Sequence, residues 1–143
     1  MCFIKNANHK VSPGLTCFKV MYLNSYGEVS PEFHTELTYK LGDTIHAAEI
    51  PNVKLPLKYW FKKEDSRKKV KRQLAIQYID NRCPDLGGEV VHSFSSEIAA
   101  RWWKREQHSL VIVECLIPEG EIYWENKLMG QYASFSVQLV KVL

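Results

Sequence analysis

The chain lacks most of the short signatures that mark a chemistry at sight. Its four cysteines, Cys2, Cys17, Cys83 and Cys115, are far apart and form no Cys-x-x-Cys pair, so the usual zinc and dithiol-oxidoreductase spacings are excluded. The five histidines, His9, His34, His46, His92 and His108, are equally scattered with no His-x-x-x-His, and no metal site is expected. Gly87-Gly88 precedes a strand instead of opening a helix, which excludes a P-loop. There is no Gly-x-Ser-x-Gly elbow. His92 and Ser93 are neighbours on a strand and point to opposite faces, so they cannot act together as base and nucleophile. No apolar run approaches the roughly 18 residues of a membrane helix. The start, Met1 to Asn6, has too few apolar residues for a signal peptide and carries no lipidation motif. The expectation is a cytoplasmic chain with no membrane role and reduced thiols, although four cysteines can form two disulfides by arithmetic.

What is present suits one folded domain. With 143 residues, 45% hydrophobic and 12% aromatic, a chain of this size buries roughly two-thirds of its unfolded surface and is not disordered. Leu15 to Tyr22 reads as a first strand opened by Pro13-Gly14, and residues 24 to 34 as a loop. Glu36 to Leu41 alternates polar and apolar and predicts a half-buried strand, with Thr44 to Ile50 as its hairpin partner.

The middle of the chain is different. Lys54 to Arg72 holds nine basic and two acidic residues, a local +7 against a whole-chain +3. A helix is predicted from about Glu64 to Asn81. Its apolar stripe is Val70, Leu74, Tyr78 and Ile79, its first turn is acidic, and Cys83-Pro84 and Gly87-Gly88 end it. The segment 54–83 reads as a basic helical insertion. Its cations are either a solvated face or an anion-binding platform of Lys62, Lys63, Arg67, Lys68, Lys69, Lys71 and Arg72 beside Tyr59, Trp60 and Phe61. Charge next to exposed rings suits single-stranded nucleic acid; an acidic protein surface would be served equally well.

The last fifty residues hold an unbroken series of signals. A strand runs through Val90-Val91-His92-Ser93-Phe94, and Ser95 is the expected N-cap of a short helix from Glu97 to Glu106. The pairs Ile98/Trp102 and Ala99/Trp103 give that helix an apolar face for a sheet to cover. An apolar strand from Leu110 to Ile117, broken only by Glu114, reads as central. One long strand, Tyr132 to Leu143, closes the chain, with Phe135, Val137, Leu139 and Lys141 on one face. The class is α+β: a mostly antiparallel or mixed, split sheet with one long basic helix and one short helix.

On these residues the chain resembles the ADP-ribosyltransferase-like fold. Phe18-Lys19 stands where that family has its first-strand basic residue, and Phe94-Ser95-Ser96 resembles its aromatic-serine motif. Leu110 to Gly120 resembles the strand and glycine turn beyond it. Glu114 to Pro118 is similar to the string that carries the family's catalytic glutamate. A looser resemblance is to small bacterial and phage proteins with a His-Ser-Phe-x-Ser start. The departures are specific: lysine at position 19, no threonine in the serine motif, and no acid in Gln131 to Ser134, where strand order places the glutamate. The resemblance implies NAD or a related nucleotide as ligand near Lys19, His92, Ser95, Tyr123 and Trp124, with Glu114 as the one candidate catalyst. Three readings follow: a non-catalytic or divergent nucleotide-binding accessory protein, an accessory or inhibitor protein acting through its basic helix, or an active transferase.

Overall fold

A strand that begins on one flank of the sheet and ends on the other sets the architecture. The computed structural model describes residues 8–32, 35–47, 56–80 and 90–143. Cys2, His34, Cys83-Pro84 and Gly87-Gly88 lie outside the described residues. The elements run β1 (Lys10–Val11), β2 (Leu15–Leu23), β3 (Val29–Pro31), β4 (Thr44–His46), α1 (Glu64–Asp80), β5 (Val91–Phe94), α2 (Glu97–Lys104), β6 (Leu110–Ile117), β7 (Ile122–Asn126), β8 (Gln131–Ser134) and β9 (Ser136–Val142). The class is α+β and mostly sheet. The described strands form one connected antiparallel sheet, not a split or mixed one, ordered β1-β7-β8-β5-β2-β6-β9-β4 with β3 added on β2.

The predicted last strand is therefore two strands. β8 pairs with β5 and β7, whereas β9 pairs with β6 and β4, and only Phe135 separates them. In a flat sheet four strand spacings, about 19 Å, would lie between them. Two Cα steps span at most about 7 Å. The sheet must curl until its two flanks meet at Phe135. The bend is held by hydrogen bonds: Ser134 Oγ donates to the Ser136 carbonyl at 3.0 Å, and the Ala47 N–H donates to the Phe135 carbonyl at 2.8 Å.

Alternation along each strand then divides the core. Cys17, Met21, Val91, Val113, Cys115, Ile117, Tyr123, Val137 and Leu139 point into the curl. On the outside, Val20, Leu110 and Ile112 pack with Ala100 of α2. Val90, Ile122, Trp124 and Ala133 pack with Ile79 of α1. Phe135 belongs to this outer group while Val137 and Leu139 belong to the inner one, so the single face expected for the last strand is split by the kink. Lys141 is exposed.

Other expectations are corrected. Glu36 to Leu41 is not a strand; only Tyr39 bridges, to Val29. The alternating pattern there has no neighbouring strand to complete it. β4 pairs with β9 and not with that segment. The expected loop at 24–34 contains β3, paired to the end of β2. In α1 the residues packed on the sheet are Ile79 with the half-buried Ala75, Ile76 and Tyr78, whereas Val70 and Leu74, equally half-buried, lie outside that cluster. Arg72 supplies the next turn of that face, since its guanidinium lies 5.1 Å over the Phe135 ring and pairs with Glu121.

Glu121 joins α1, β7 and the kink. It accepts from the Ile122 N–H at 2.9 Å, from Ser136 Oγ and from Arg72. Burial alone would raise its pKa, but the hydrogen bonds from Ser136, Arg72 and Ile122 outweigh this and hold the carboxyl below its usual range. A depressed carboxylate stabilises the fold above the ordinary carboxylate range and loses that contribution as pH falls through the folded pKa. Glu121→Gln is therefore expected to lower unfolding free energy at pH 7 by about 1–3 kcal/mol and to flatten the loss of stability on acidification. Urea unfolding of both proteins at neutral and acid pH measures this.

Candidate functional site

An open concavity lies against α2, on the outside of the curl. The chain leaves β5 at Phe94, and the Ser95 N–H donates to the Gly130 carbonyl at 2.8 Å, tying the start of the helix to the β7–β8 turn. The N-cap is Ser96, not the expected Ser95: Ser96 Oγ accepts from the Ala99 N–H at 3.1 Å, and its extended backbone precedes the first helical turn. Gly130 allows the close approach. It holds φ at +63°, and a Cβ there would sit 3.2 Å from Ala99 Cβ and 3.4 Å from Ser95 Oγ. The helix stops at Arg105, whose φ of +55° is one that non-glycine residues seldom adopt.

The helix is mounted opposite to expectation. Ala100 is its buried residue, and Ile98 and Trp102 are 71% and 78% exposed. With only one small side chain seated on the sheet, the large apolar pair faces out. Trp103 lies between, its ring 6.1 Å from Phe94 and its Nε1 donating to Glu32 Oε2 at 2.9 Å. The result is an open groove of about 870 Å³ whose lining includes Glu32, Ser95, Trp102, Trp103, Arg105, Lys127, Leu128 and Met129. One carboxylate, two cations, two serines and two indoles surround one space. Glu32, Arg105 and Lys127 carry no local sequence signal; only the folded chain brings them to α2.

The ligand residues expected from the resemblance are not collected in one place. Ser95 lines the groove. His92 lies on β5, two residues before Phe94 on the same outer face. Lys19 points into the curl, opposite Val113, and its Nζ donates to the His92 carbonyl at 2.6 Å. Burial pushes this ammonium below its usual pKa, with Cys115, Cys17 and Glu32 pulling the other way. Tyr123 also faces inward, edge-on to Tyr132 at 5.6 Å. Its neighbour Trp124 faces outward beneath α1, fully buried, edge-on to Phe135 at 5.5 Å and donating from Nε1 to Asp80 at 2.9 Å. Glu114 is half-buried on the outer face of β6, between Phe18 of β2 and Lys141 of β9. It lies on the face of the sheet opposite Lys19.

A second surface runs along the start of α1. Lys62, Lys63, Arg67, Lys68 and Lys69 are exposed and Lys71 is half-buried, beside Trp60 at 59% and Phe61 at 93% exposure. Lys68 pairs with Glu64 at 3.3 Å. Trp60, Arg67, Lys68 and Lys71 share a shallow depression of about 370 Å³. Arg72 turns away from this surface toward Glu121 and Phe135. Among the described residues no three histidine, cysteine, aspartate or glutamate side chains converge as metal ligands, and no helix is long and apolar enough to cross a membrane.

No family model, curated protein or solved structure gives a significant match to this chain. The local geometry makes its own prediction. Ser96→Ala removes a cap and is expected to lower stability by about 0.5–2 kcal/mol, whereas Ser95→Ala, which keeps the backbone bond to Gly130, is expected to leave stability within about 0.5 kcal/mol of the parent. Denaturant midpoints of the two variants distinguish the roles.

Proposed function

We propose that this protein binds a nucleotide in the groove beside α2, as a non-catalytic or divergent accessory protein of ADP-ribosyltransferase-like shape. The observation that carries the reading is the meeting of Trp102, Arg105, Lys127 and Glu32 around Ser95 in one open groove. Each part of a nucleotide has a matching group. An exposed indole offers a stacking surface to a base. The two cations offer charge and donors to phosphate oxygens. A carboxylate accepts from ribose hydroxyls, which are donors in need of an acceptor. The groove volume is within the roughly 300–1,000 Å³ range of small-molecule sites. Ser95 is also the residue through which the serine motif of the resembled family is matched, so the two lines of argument converge on one position.

Turnover is the weaker part of any such reading. The groove holds one carboxylate, and that one is already bonded to Trp103 Nε1. Glu114 lies outside the groove lining. Binding NAD or ADP-ribose without consuming it is the activity these groups support.

The exposed rings of Trp60 and Phe61 beside five exposed cations favour a second reading, a single-stranded nucleic acid or an acidic protein held at the start of α1. The two readings differ in salt response and in the residues that matter. Calorimetric titration with NAD, ADP-ribose and short single-stranded DNA and RNA, at low and moderate salt, separates them. The groove reading expects a salt-tolerant small-nucleotide signal that Trp102→Ala weakens at least about tenfold, from the ~1–3 kcal/mol of base stacking, and that a Lys68→Ala/Lys69→Ala variant leaves intact. Binding of oligonucleotides alone, lost with salt and with Lys68 and Lys69, transfers the function to α1.

A further inference from the structure

Inside the curl lies a polar cluster that the groove does not use. Cys17 on β2 and Cys115 on β6 are direct partners in the antiparallel ladder. Both are free, with 0% and 1% exposure. Directly opposed residues of such a ladder have Cα atoms about 4.5–5.5 Å apart, inside the span of about 4.4–6.8 Å that a disulfide bridges. Two residues along β2, on the same inward face, is the Lys19 ammonium. On β5, the Ser93 hydroxyl is buried with no hydrogen-bond partner among the described residues, and it adjoins Cys17.

These groups treat the two sulfurs differently. The Cys115 thiol against Cys17 lowers the Cys17 pKa; burial opposes this, and Ser93, Lys19 and the Ile117 backbone add to the lowering. Contact with Cys17 and burial raise Cys115. Lys19 and Ser93, which lie beside Cys17, favour a thiolate at that position. A thiolate at position 17 would also give the unpaired Ser93 hydroxyl an acceptor, removing the penalty of an unsatisfied buried donor.

We infer that Cys17 and Cys115 are a redox-active dithiol, oxidised by hydrogen peroxide to an intramolecular disulfide that ties β2 to β6. In the first step the Cys17 thiolate attacks one peroxide oxygen. The O–O bond breaks, hydroxide leaves and takes up a proton as water, and Cys17 becomes a sulfenic acid. In the second, the Cys115 sulfur attacks Cys17. The S–O bond breaks, and the departing hydroxide combines with the Cys115 proton as a second water. The two sulfurs lose two electrons and the peroxide gains them. A peroxide is small enough to enter on local opening of the strands, and once the sulfenic acid forms its resolving thiol is already opposite.

The test uses the full chain as a C2S/C83S variant, leaving only the two thiols in question. One equivalent of hydrogen peroxide is expected to lower the mass by about 2 Da and abolish both thiols toward a thiol reagent in denaturant, and a dithiol reductant restores them. Adding C115S is expected to stop the reaction at sulfenic acid, a gain of about 16 Da that a sulfenic-acid trap captures. Adding C17S prevents the first step. Where a variant does not fold, peptide mapping of the oxidised parent chain answers the same question by finding, or not finding, Cys17 joined to Cys115. Thiols that stay reduced at one equivalent, oxidation to sulfinic acid without a disulfide, or a disulfide formed through Cys2 or Cys83 instead would each overturn the inference.

Discussion

The kink at Phe135 is the constraint on which the rest of the structure depends. One residue joins a strand on the β5 flank to a strand on the β6 flank, and chain geometry leaves no way to make that join except by curling the sheet. The bend places Ser134, Phe135 and Ser136 where the ladder breaks, and their polar groups are taken up by one another, by Ala47 and by Glu121. A break in a buried strand exposes backbone groups that cost about 1–3 kcal/mol each when left unpaired. The Ser134 hydroxyl supplies one partner, to the Ser136 carbonyl, and the Ala47 N–H another, to the Phe135 carbonyl. The ring itself, edge-on to Trp124 and covered by Arg72, sets where α1 sits.

Closure of the sheet also decides what the helices can do. With the larger apolar group turned inward, the outer faces need only modest cover. α1 buries Ile79 completely and leaves its N-terminal half to solvent, and α2 buries only Ala100. Neither helix is fixed by a wide apolar stripe of its own. That is why Trp102 and Ile98 stand exposed over a groove, and why the aromatic and basic residues before α1 remain on the surface. Both candidate binding surfaces are consequences of a core that is completed elsewhere.

Much of this was legible in the residues, and the failures have a common cause. β2, β5, β6 and the start of α2 are announced by alternation, β-branched composition and a serine cap, all local properties. The helix at Glu64–Asp80 was likewise legible, through its acidic first turn. What local pattern could not show is which strand neighbours which. Tyr132 to Leu143 reads as one strand because alternation continues through Phe135, and only strand order shows the break. Glu36 to Leu41 has the alternation of a strand but no partner beyond the Tyr39 bridge. Val29 to Pro31 lacks a strand's composition yet becomes one by lying against the end of β2. The site divides similarly. Ser95 is legible through its motif, Trp102 and Trp103 read only as a face for the sheet to cover, and Glu32 and Lys127 join them from distant parts of the sequence. Tyr123 and Trp124, adjacent in sequence, were read as one aromatic pair, and the pleat sends them to opposite faces.

The same pleat separates the cysteine pair inside the curl from the groove outside it. Along β5, Ser93 faces the dithiol in the curl, while Phe94 faces Trp103, and Ser95 opens the groove. Along β2, Cys17 and Lys19 face inward while Phe18 and Val20 support α2. Each strand thus presents an inner side and an outer side separated by one layer of backbone. Lys19 shows the separation most clearly. A lysine in an apolar interior is costly unless its ammonium has an acceptor, and here the acceptor is the carbonyl of His92. That bond holds Lys19 on the inner face, away from the groove that Arg105 and Lys127 line. Both of those cations are exposed.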